Sequence, residues 1–285
     1  MRFPIHTKHT QGGRMLSINT NTNALFSMAN LNKTNSALSK IAKQLATGKK
    51  INSAADDAAG ISIASKMDAR IRGLGVAKKN VADAMSLIGI ADGGLQGIEE
   101  SLQKMREIAL SAKSDTLSTD ERDALQTQFD SIVSEINDYA GQATFNGIAL
   151  LDGTANLSIQ SGANAGDTTT VAIGQNYNAT GLSVNALDID SAANASATIT
   201  AIDTALETVN SGMSDLGALT NRFESKSSYI DNAIENNTAA LERIEDADMA
   251  EVAAENIKLQ TKQQSNLFAL SQAIQMPQSL LSLLG

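Results

Sequence analysis

Two series of apolar residues, offset from each other by three positions, repeat every seven residues through one long segment. They consist of Leu74, Val81, Ile88, Leu95, Leu102 and Ala109, and of Ala77, Ala84, Ala91, Ile98, Met105 and Ala112. This pattern predicts a long helix that must bury one face against another helix. Because the second series is mostly alanine, the partner helix can approach closely. The chain has no proline between Pro4 and Pro277, so no helix in this span is broken by that residue.

The partner of this helix is predicted in the second half of the chain. From about residue 197 to residue 245, apolar residues again recur at heptad spacing. At 1.5 Å per residue such a helix extends roughly 70 Å, so we expect it to lie along the segment 74–112. The predicted fold is mainly α, with long antiparallel coiled-coil-like helices. To the core of this helical region we assign Leu74, Val81, Ile88, Leu95, Leu102, Leu206, Leu216, Phe223 and Ile230.

Both ends of the chain carry further apolar stripes. An amphipathic helix is predicted from Ala24 to Leu45 and ends at Gly48, and a terminal amphipathic segment follows Asp246 until Pro277 interrupts it. The residues that we assign to these stripes, as a core for packing between subunits, are Leu31, Leu38, Leu45, Leu267, Leu270, Ile274, Leu280 and Leu283. A pair of long helices leaves these stripes uncovered, and uncovered stripes imply a partner.

The region between the two long helices combines a shorter helix with β-structure. Ser118-Thr-Asp-Glu121 is a capping box, which opens a helix. Residues 146–190 then hold short alternating or β-branched stretches between Gly, Asn and Asp turns, and we predict a few hairpins there. The predicted strands are Leu157–Gln160, Thr168–Ile173 and Leu182–Val184.

Composition excludes several classes of function. The net charge of −9 disfavours binding to nucleic acid, and no run of about 18 apolar residues is available to span a membrane. The chain has no Cys and only two His, His6 and His9, so thiol catalysis and thiolate metal sites lack their residues. The glycine-rich stretches near residues 73 and 93 lie on the heptad helix, without a preceding strand or a Walker lysine. We therefore predict no enzyme activity, no metal site and no cofactor.

With stripes at both ends and hairpins in the middle, the chain is expected to run out along a rod and back, so that its termini lie side by side. Copies that meet head-to-tail would form open helical assemblies. The pattern therefore favours a filament subunit, and a monomeric helical bundle with its terminal helices folded inside is the alternative. Residues 1–14 are polar and end in Gly12-Gly13. We predict that they are a disordered extension, or that they precede a natural start at Met15.

Several segments resemble those of bacterial flagellins. At the N-terminal end they are MLSINTN at residues 15–21 and LATGKKINSAADDAAGISIA at residues 45–64. Further along they are LQKMREIA at residues 102–109, GQATFNG at residues 141–147 and PQSLLSLL at residues 277–284. The resemblance covers essentially residues 15–285 in order. By it the chain is identified as a member of the flagellin family, in a short form that lacks large central variable domains.

The resemblance implies a filament subunit in two layers. Residues 15–56 with 246–285 would form the helical filament core, and residues 57–245, with the hairpin region 146–190, would form the outer domain. Family membership implies a structural subunit that polymerises into the extracellular bacterial flagellar filament used for swimming motility. It also implies secretion unfolded through the type III export apparatus, with the termini ordering on assembly. A hook–filament junction protein of the same apparatus is the alternative.

The resemblance also implies partners other than further copies of the chain. A flagellar export chaperone would bind the C-terminus, and hook-associated and cap proteins would meet the filament. Detection by the host Toll-like receptor for flagellin would use a patch made of Gln103, Lys104, Arg106, Glu107, Ile108 and Gln128. Lys104 stands where the receptor-active pattern usually has Arg, and Gln128 where an acidic residue is typical, so detection is expected to be weakened. A contact between protofilaments is the other interpretation of this patch.

Overall fold

The computed structural model describes residues 20–284, with side chains up to Met276. The predictions for residues 1–14, for His6 and His9 and for a start at Met15 lie outside the described residues. In the described part the helices are α1 (Thr22–Thr47), α2 (Ala58–Ala112), α3 (Thr119–Gln142), α4 (Ala192–Glu245) and α5 (Met249–Leu284). The strands are β1 (Thr144–Phe145), β2 (Ile148–Ala149), β3 (Ala155–Gln160) and β4 (Thr168–Ile173). The predicted mainly α fold is confirmed.

The chain divides into two compact units. Of the described residues, those up to Ser65 and from Leu241 onward form the first, which we call the terminal unit, and Lys66–Ala240 form the second, the middle unit. The two divisions fall inside α2 and α4. The predicted division into a filament core and an outer domain concerns the assembled filament and stays a prediction.

The core of the middle unit is built on the heptad face of α2. All twelve residues of the two series are buried, and none is more than 4% exposed. Around them pack Phe129 and Ile136 from α3 and Phe223 and Ile230 from α4, each fully buried. Burying a side chain of this size contributes about 1.5–3 kcal/mol. This face therefore supplies much of the apolar area that holds the unit together.

Within the middle unit, α2 and α4 run antiparallel, as predicted. Lys78 Nζ lies 2.6 Å from Asp231 Oδ1, and Arg106 Nε donates to Asp203 Oδ1 at 2.7 Å. Residue numbers rise along one helix while they fall along the other. Both ion pairs are about half exposed, so their contribution to stability is small. The two ion pairs show which residues of α2 and α4 face each other, whereas apolar packing holds the two helices together.

The helix α3 begins at the predicted capping box. Ser118 Oγ accepts from the backbone N–H of Glu121 at 3.4 Å, and Glu121 Oε2 accepts from the backbone N–H of Ser118 at 2.8 Å. The bonds from Ser118 lower the pKa of the Glu121 carboxyl below its usual range. After α3, the strands β1 and β2 pair antiparallel across Asn146 and Gly147, whose φ angles are 49° and 79°. These left-handed conformations are what a two-residue hairpin turn requires.

Two of the three predicted strands are present. β3 and β4 pair antiparallel from Ala155↔Ile173 to Gln160↔Thr168. The prediction of a strand at Leu182–Val184 is wrong, because these residues form a turn. The backbone N–H of Leu182 donates to Asn178 O at 3.0 Å and that of Val184 to Ala179 O at 2.8 Å. Both side chains are buried, so their alternation reflects a turn packed on the core.

In the terminal unit, α1 ends where the sequence predicts. Gly48 adopts the left-handed conformation with φ 70°, and its N–H donates to Gln44 O at 2.8 Å. Gly48 O accepts from Ala247 N at 2.9 Å, and Lys50 N donates to Glu245 O at 2.6 Å. These bonds tie the residues that follow α1 to the end of α4 and to the connection between α4 and α5.

Candidate assembly surface

Uncharged polar side chains join α1 to α5. Asn266 Nδ2 donates to Thr34 Oγ1 at 2.9 Å, and Gln263 Nε2 donates to Asn35 Oδ1 at 2.8 Å. Thr34 is buried, with 4% of its surface exposed. Together with the contacts at Gly48, these bonds make the two helices antiparallel, so that the first half of α1 lies beside the second half of α5.

The helix α5 continues across Pro277, so the prediction that this proline interrupts the segment is wrong. Proline has no backbone N–H, and the carbonyl of Ala273, four residues earlier, cannot receive its usual helical bond. The Asn21 side chain replaces that donor, because Asn21 Nδ2 donates to Ala273 O at 2.6 Å. Asn21 is also the N-cap of α1. A contact between two distant segments therefore compensates for the missing bond.

The helix pair buries few apolar side chains within its own unit. On α5 the most buried are Ala273, Val252 and Leu259, at 5%, 8% and 8% exposure. By contrast, Phe26 is 70% exposed and Phe268 is 75% exposed. We call the following residues the exposed apolar set: Leu25, Phe26, Met28, Ile257, Leu267, Phe268 and Ile274. A set of this kind, with two nearly free phenylalanines, marks an interaction surface.

The connection from α1 to α2 folds around Asp56. Asp56 Oδ2 accepts from Ser53 Oγ at 3.0 Å and from the backbone N–H groups of Ser53 at 3.1 Å and Asn52 at 3.3 Å. Its other oxygen lies 2.8 Å from Lys40 Nζ. The bond from Lys40, followed by the bonds from Ser53, lowers the pKa of Asp56 to about 2. The carboxylate is therefore charged at every physiological pH and holds the loop in place.

The next residue starts α2. Asp57 Oδ1 accepts from Ala59 N at 3.0 Å and from Gly60 N at 2.9 Å. A Cβ at Gly60 would lie 2.6 Å from Ile51 Cδ1, so a larger residue here would require the Ile51 side chain to move. The loop and both helix ends line an open cavity of about 580 Å³, whose charged groups are Lys40, Lys50, Asp56 and Asp57.

Comparison with known proteins identifies the family. The model of the bacterial flagellin N-terminal helical region matches residues 18–156, and that of the C-terminal helical region matches residues 199–284. The flagellin of Halalkalibacterium halodurans is 39% identical over 257 residues, which cover 90% of this chain and 93% of that protein. The flagellin of Bacillus subtilis is 35% identical over 303 residues, which cover 94% of this chain and 100% of that protein. This chain belongs to the bacterial flagellin family.

The fold of this flagellin also has a counterpart among solved structures. A candidate flagellar hook-associated protein from Vibrio parahaemolyticus matches with a TM-score of 0.53, over 67% of this chain and 98% of that one. Their sequences are 18% identical, so the likeness concerns the fold alone. The named relatives at higher identity are flagellins, and the alternative of a junction protein is not favoured. The flagellin family is a family of structural proteins, and its members form the extracellular filament.

Among residues 20–284 of this flagellin, no helix combines the length and the apolar character that crossing a bilayer requires.

The residues predicted to pack between subunits differ in exposure. Leu31, Leu38, Leu45 and Leu270 are half-buried within the terminal unit. Leu267 and Ile274 are 50% and 52% exposed and belong to the exposed apolar set. Leu280 and Leu283 lie outside the residues whose side chains are described. The packing role of these residues stays a prediction.

The heptad pattern does not mark the two phenylalanines, which are the most exposed members of the set. Phe26 and Phe268 fall outside the heptad stripe of leucines. A signal was present in the sequence, because each is an aromatic residue in a terminal segment otherwise rich in Asn, Ser and Gln. An aromatic residue off the buried stripe is a candidate for contact with a partner.

The residues assigned to the core of the middle unit lie within or against it. Leu206 is half-buried and packs against the core. The others are at most 4% exposed: Leu74, Val81, Ile88, Leu95, Leu102, Leu216, Phe223 and Ile230.

The patch implied by the family resemblance lies on the middle unit. Lys104, Glu107 and Gln128 are exposed, whereas Ile108 is half-buried and packs against the core. Gln103 Nε2 donates to Glu99 Oε1 at 3.0 Å. The bond to Asp203 raises the pKa of the Arg106 guanidinium above its usual range. Among the described residues, no hydrogen bond or ion pair joins Gln128 to residues 103–108.

Proposed function

We propose that this flagellin is a structural subunit that polymerises into the flagellar filament used for swimming, and that the exposed apolar set is buried between copies. One observation carries the proposal. The terminal helices leave Phe26 and Phe268 at 70% and 75% exposure, although each helix packs against the other. A second copy of the chain offers a surface of the same kind.

The energetics favour ordering of the terminal helices during assembly. Isolated helices are marginal in water, and most helical stability in proteins comes from packing. The pair α1 and α5 buries little within its own unit, whereas covering one phenylalanine contributes about 1.5–3 kcal/mol. Burial between copies therefore supplies the free energy that orders these helices. Repeated head-to-tail contacts of this kind give an open helical assembly.

The two layers of the filament follow from the same argument. Residues 15–56 with 246–285 form the core layer, because the exposed apolar set lies there. Residues 57–245 form the outer layer, whose core is already buried within the subunit. This division extends the family resemblance to the present residues.

Export and further partners belong to the same proposal. The chain is secreted unfolded through the type III apparatus, and an export chaperone covers Leu267, Leu270, Leu280 and Leu283 until assembly. Hook-associated and cap proteins meet the same terminal helices at the two ends of the filament. Each partner shields an apolar surface that is covered by neighbouring subunits in the finished filament.

The test of subunit function is seeded polymerisation. Fragmented filaments should elongate when the purified chain is added, and electron microscopy should show long filaments. Phe268→Ser should raise the critical concentration for growth by about tenfold or more, since 1.4 kcal/mol corresponds to a factor of ten. Gln264→Ser, an exposed change on the same helix, is the matched control and should leave growth unaltered. A chain that never elongates seeds would contradict the proposal and favour the monomeric bundle.

Proteolysis supplies a second measurement. Both terminal segments should be cleaved rapidly in the monomer and protected in the filament, because neighbouring copies cover them. Equal cleavage in the two states would count against ordering on assembly.

Weak detection by the host Toll-like receptor is a further proposal for the patch on α2 and α3. Lys104 has no rigid fork for a bidentate contact, and Gln128 has no charge for an assisted hydrogen bond. A receptor reporter assay on the monomer should therefore respond more strongly to Lys104→Arg and to Gln128→Glu. A signal that neither substitution increases would leave the contact between protofilaments as the function of this patch.

A further inference from the structure

We propose that Asn21 couples the first turn of α1 to the turn of α5 that contains Pro277, so that the two terminal helices order together. The proposal rests on the proposed function, because it concerns the helices that order on assembly. Asn21 Oδ1 accepts from the backbone N–H of Ala24 at 3.0 Å, and Asn21 Nδ2 donates to Ala273 O at 2.6 Å. One amide group therefore serves both helices at once.

Each of the two helices needs what Asn21 provides. The first N–H groups of α1 have no helical acceptor, and an N-cap side chain supplies one. In α5, the carbonyl of Ala273 has lost its helical donor, because residue 277 is proline. Ala273 is only 5% exposed, so water has little access to replace that donor. A carbonyl left unpaired in such a place destabilises the helix that carries it.

The chemistry of asparagine accounts for its presence at this position. Ser, Thr and Asp cap helices about as well as Asn, because capping requires only an acceptor. Among these residues, only asparagine also has an N–H donor on the same planar group. Asn21 can therefore cap α1 and bond Ala273 without changing its rotamer.

The position of this contact along the helix pair makes the coupling effective. The bond of Gly48 with Ala247 closes one end of the pair, and the bond of Thr34 with Asn266 lies between the ends. The contact of Asn21 with Ala273 lies at the other end of the pairing that the described residues make. If the first turn of α1 unwinds, Ala273 O loses its donor in the same event.

A double-mutant cycle tests the coupling. Asn21→Ser keeps an N-cap acceptor but is too short to reach Ala273, and Pro277→Ala restores a backbone N–H to that carbonyl. In the natural background, Asn21→Ser should raise the critical concentration for seeded growth about fivefold to tenfold. In the Pro277→Ala background, the same substitution should change it less than about twofold, because the restored backbone N–H supplies the donor.

Asn23→Ser is the matched control, since the same chemical change two residues away should leave growth unaltered in both backgrounds. Equal effects of Asn21→Ser in the two backgrounds, or no effect in either, would overturn the coupling while leaving the filament function intact. If the unaltered chain fails to elongate seeds, the proposed function fails instead. In that case the coupling between Asn21→Ser and Pro277→Ala is measured instead by the hydrogen-exchange rates of the α5 amides in the unassembled chain.

Hydrogen exchange gives a readout that a purely local cap would not change. In filaments of Asn21→Ser, amides of residues 270–276 should exchange at least severalfold faster, although the substitution is in α1. Pro277→Ala should restore their protection. Faster exchange confined to the first turn of α1 would show that Asn21 is only a cap.

Discussion

The middle unit and the terminal unit are both helical, but they bury their apolar residues differently. In the middle unit, Phe129 and Phe223 are fully buried. In the terminal unit, Phe26 and Phe268 are 70% and 75% exposed. The same residue type thus serves internal packing in one unit and remains available for contact in the other. Helical pattern alone therefore does not tell whether an apolar residue stabilises its own unit or an assembly.

The largest expected effect comes from removing a buried aromatic of the middle unit. Phe223→Ala should lower the free energy of unfolding of the monomer by about 3–5 kcal/mol, because it leaves a cavity in a filled core. Chemical denaturation followed by circular dichroism measures the change. Phe268→Ala is the matched substitution in the terminal unit and should leave monomer unfolding within about 0.5 kcal/mol of the parent. Similar losses in the two variants would remove the contrast between the units.

Close packing against α4 gives the next largest effect. A Cβ at Gly212 would lie 2.8 Å from the ring carbon Cζ of Tyr177, which is itself buried. Gly212→Ala should therefore destabilise the middle unit by about 1–3 kcal/mol through overpacking. At Gly217 on the same helix a Cβ meets nothing within 4 Å, and Gly217→Ala should instead stabilise the unit by up to about 1 kcal/mol. Thermal unfolding of the two variants should shift in opposite directions.

A local contribution within the middle unit is the capping box of α3. Ser118→Ala should cost about 1 kcal/mol, because an N–H in the first turn loses its acceptor. Ser111→Ala, at an exposed position inside α2, should change stability by no more than a few tenths of a kcal/mol. Denaturant titration of both variants measures the difference. Equal midpoints for the two variants would show that the box contributes nothing to the unit.

The smallest effect concerns charge in the terminal unit. The pKa of Asp56 is lowered to about 2 from 3.8, so its bonds stabilise the loop above about pH 4 and are lost as pH falls through about 2. The difference between the parent and Asp56→Asn in thermal depolymerisation of filaments should therefore shrink from pH 4 to pH 2. Asp68→Asn removes a charge from an exposed pair with Arg72 and is the control. If the depolymerisation temperatures of the parent and of Asp56→Asn differ by the same amount at every pH, this role of Asp56 is contradicted.

Sequence patterns predicted the elements whose stability is local or repeated. The heptads of α2, the cap at Ser118 and the end of α1 at Gly48 each depend on residues within a few positions, so a linear pattern contains the necessary information. The strand prediction at Leu182–Val184 failed because alternation of buried residues also occurs in a turn, here one whose N–H groups donate to the carbonyls of Asn178 and Ala179. The periodicity of apolar residues indicates which side chains are buried. Whether the segment is a strand or a turn depends on the hydrogen bonds of its backbone.

The sequence by itself determined the helical fold, the antiparallel pairing of the two long helices and the family. Tertiary structure alone decided which phenylalanines stay uncovered and how α5 passes Pro277. The physical reason is the same for both. Exposure and the pairing of a lone carbonyl depend on groups brought together from opposite ends of the chain, as Asn21 and Ala273 are. No local pattern specifies such a meeting.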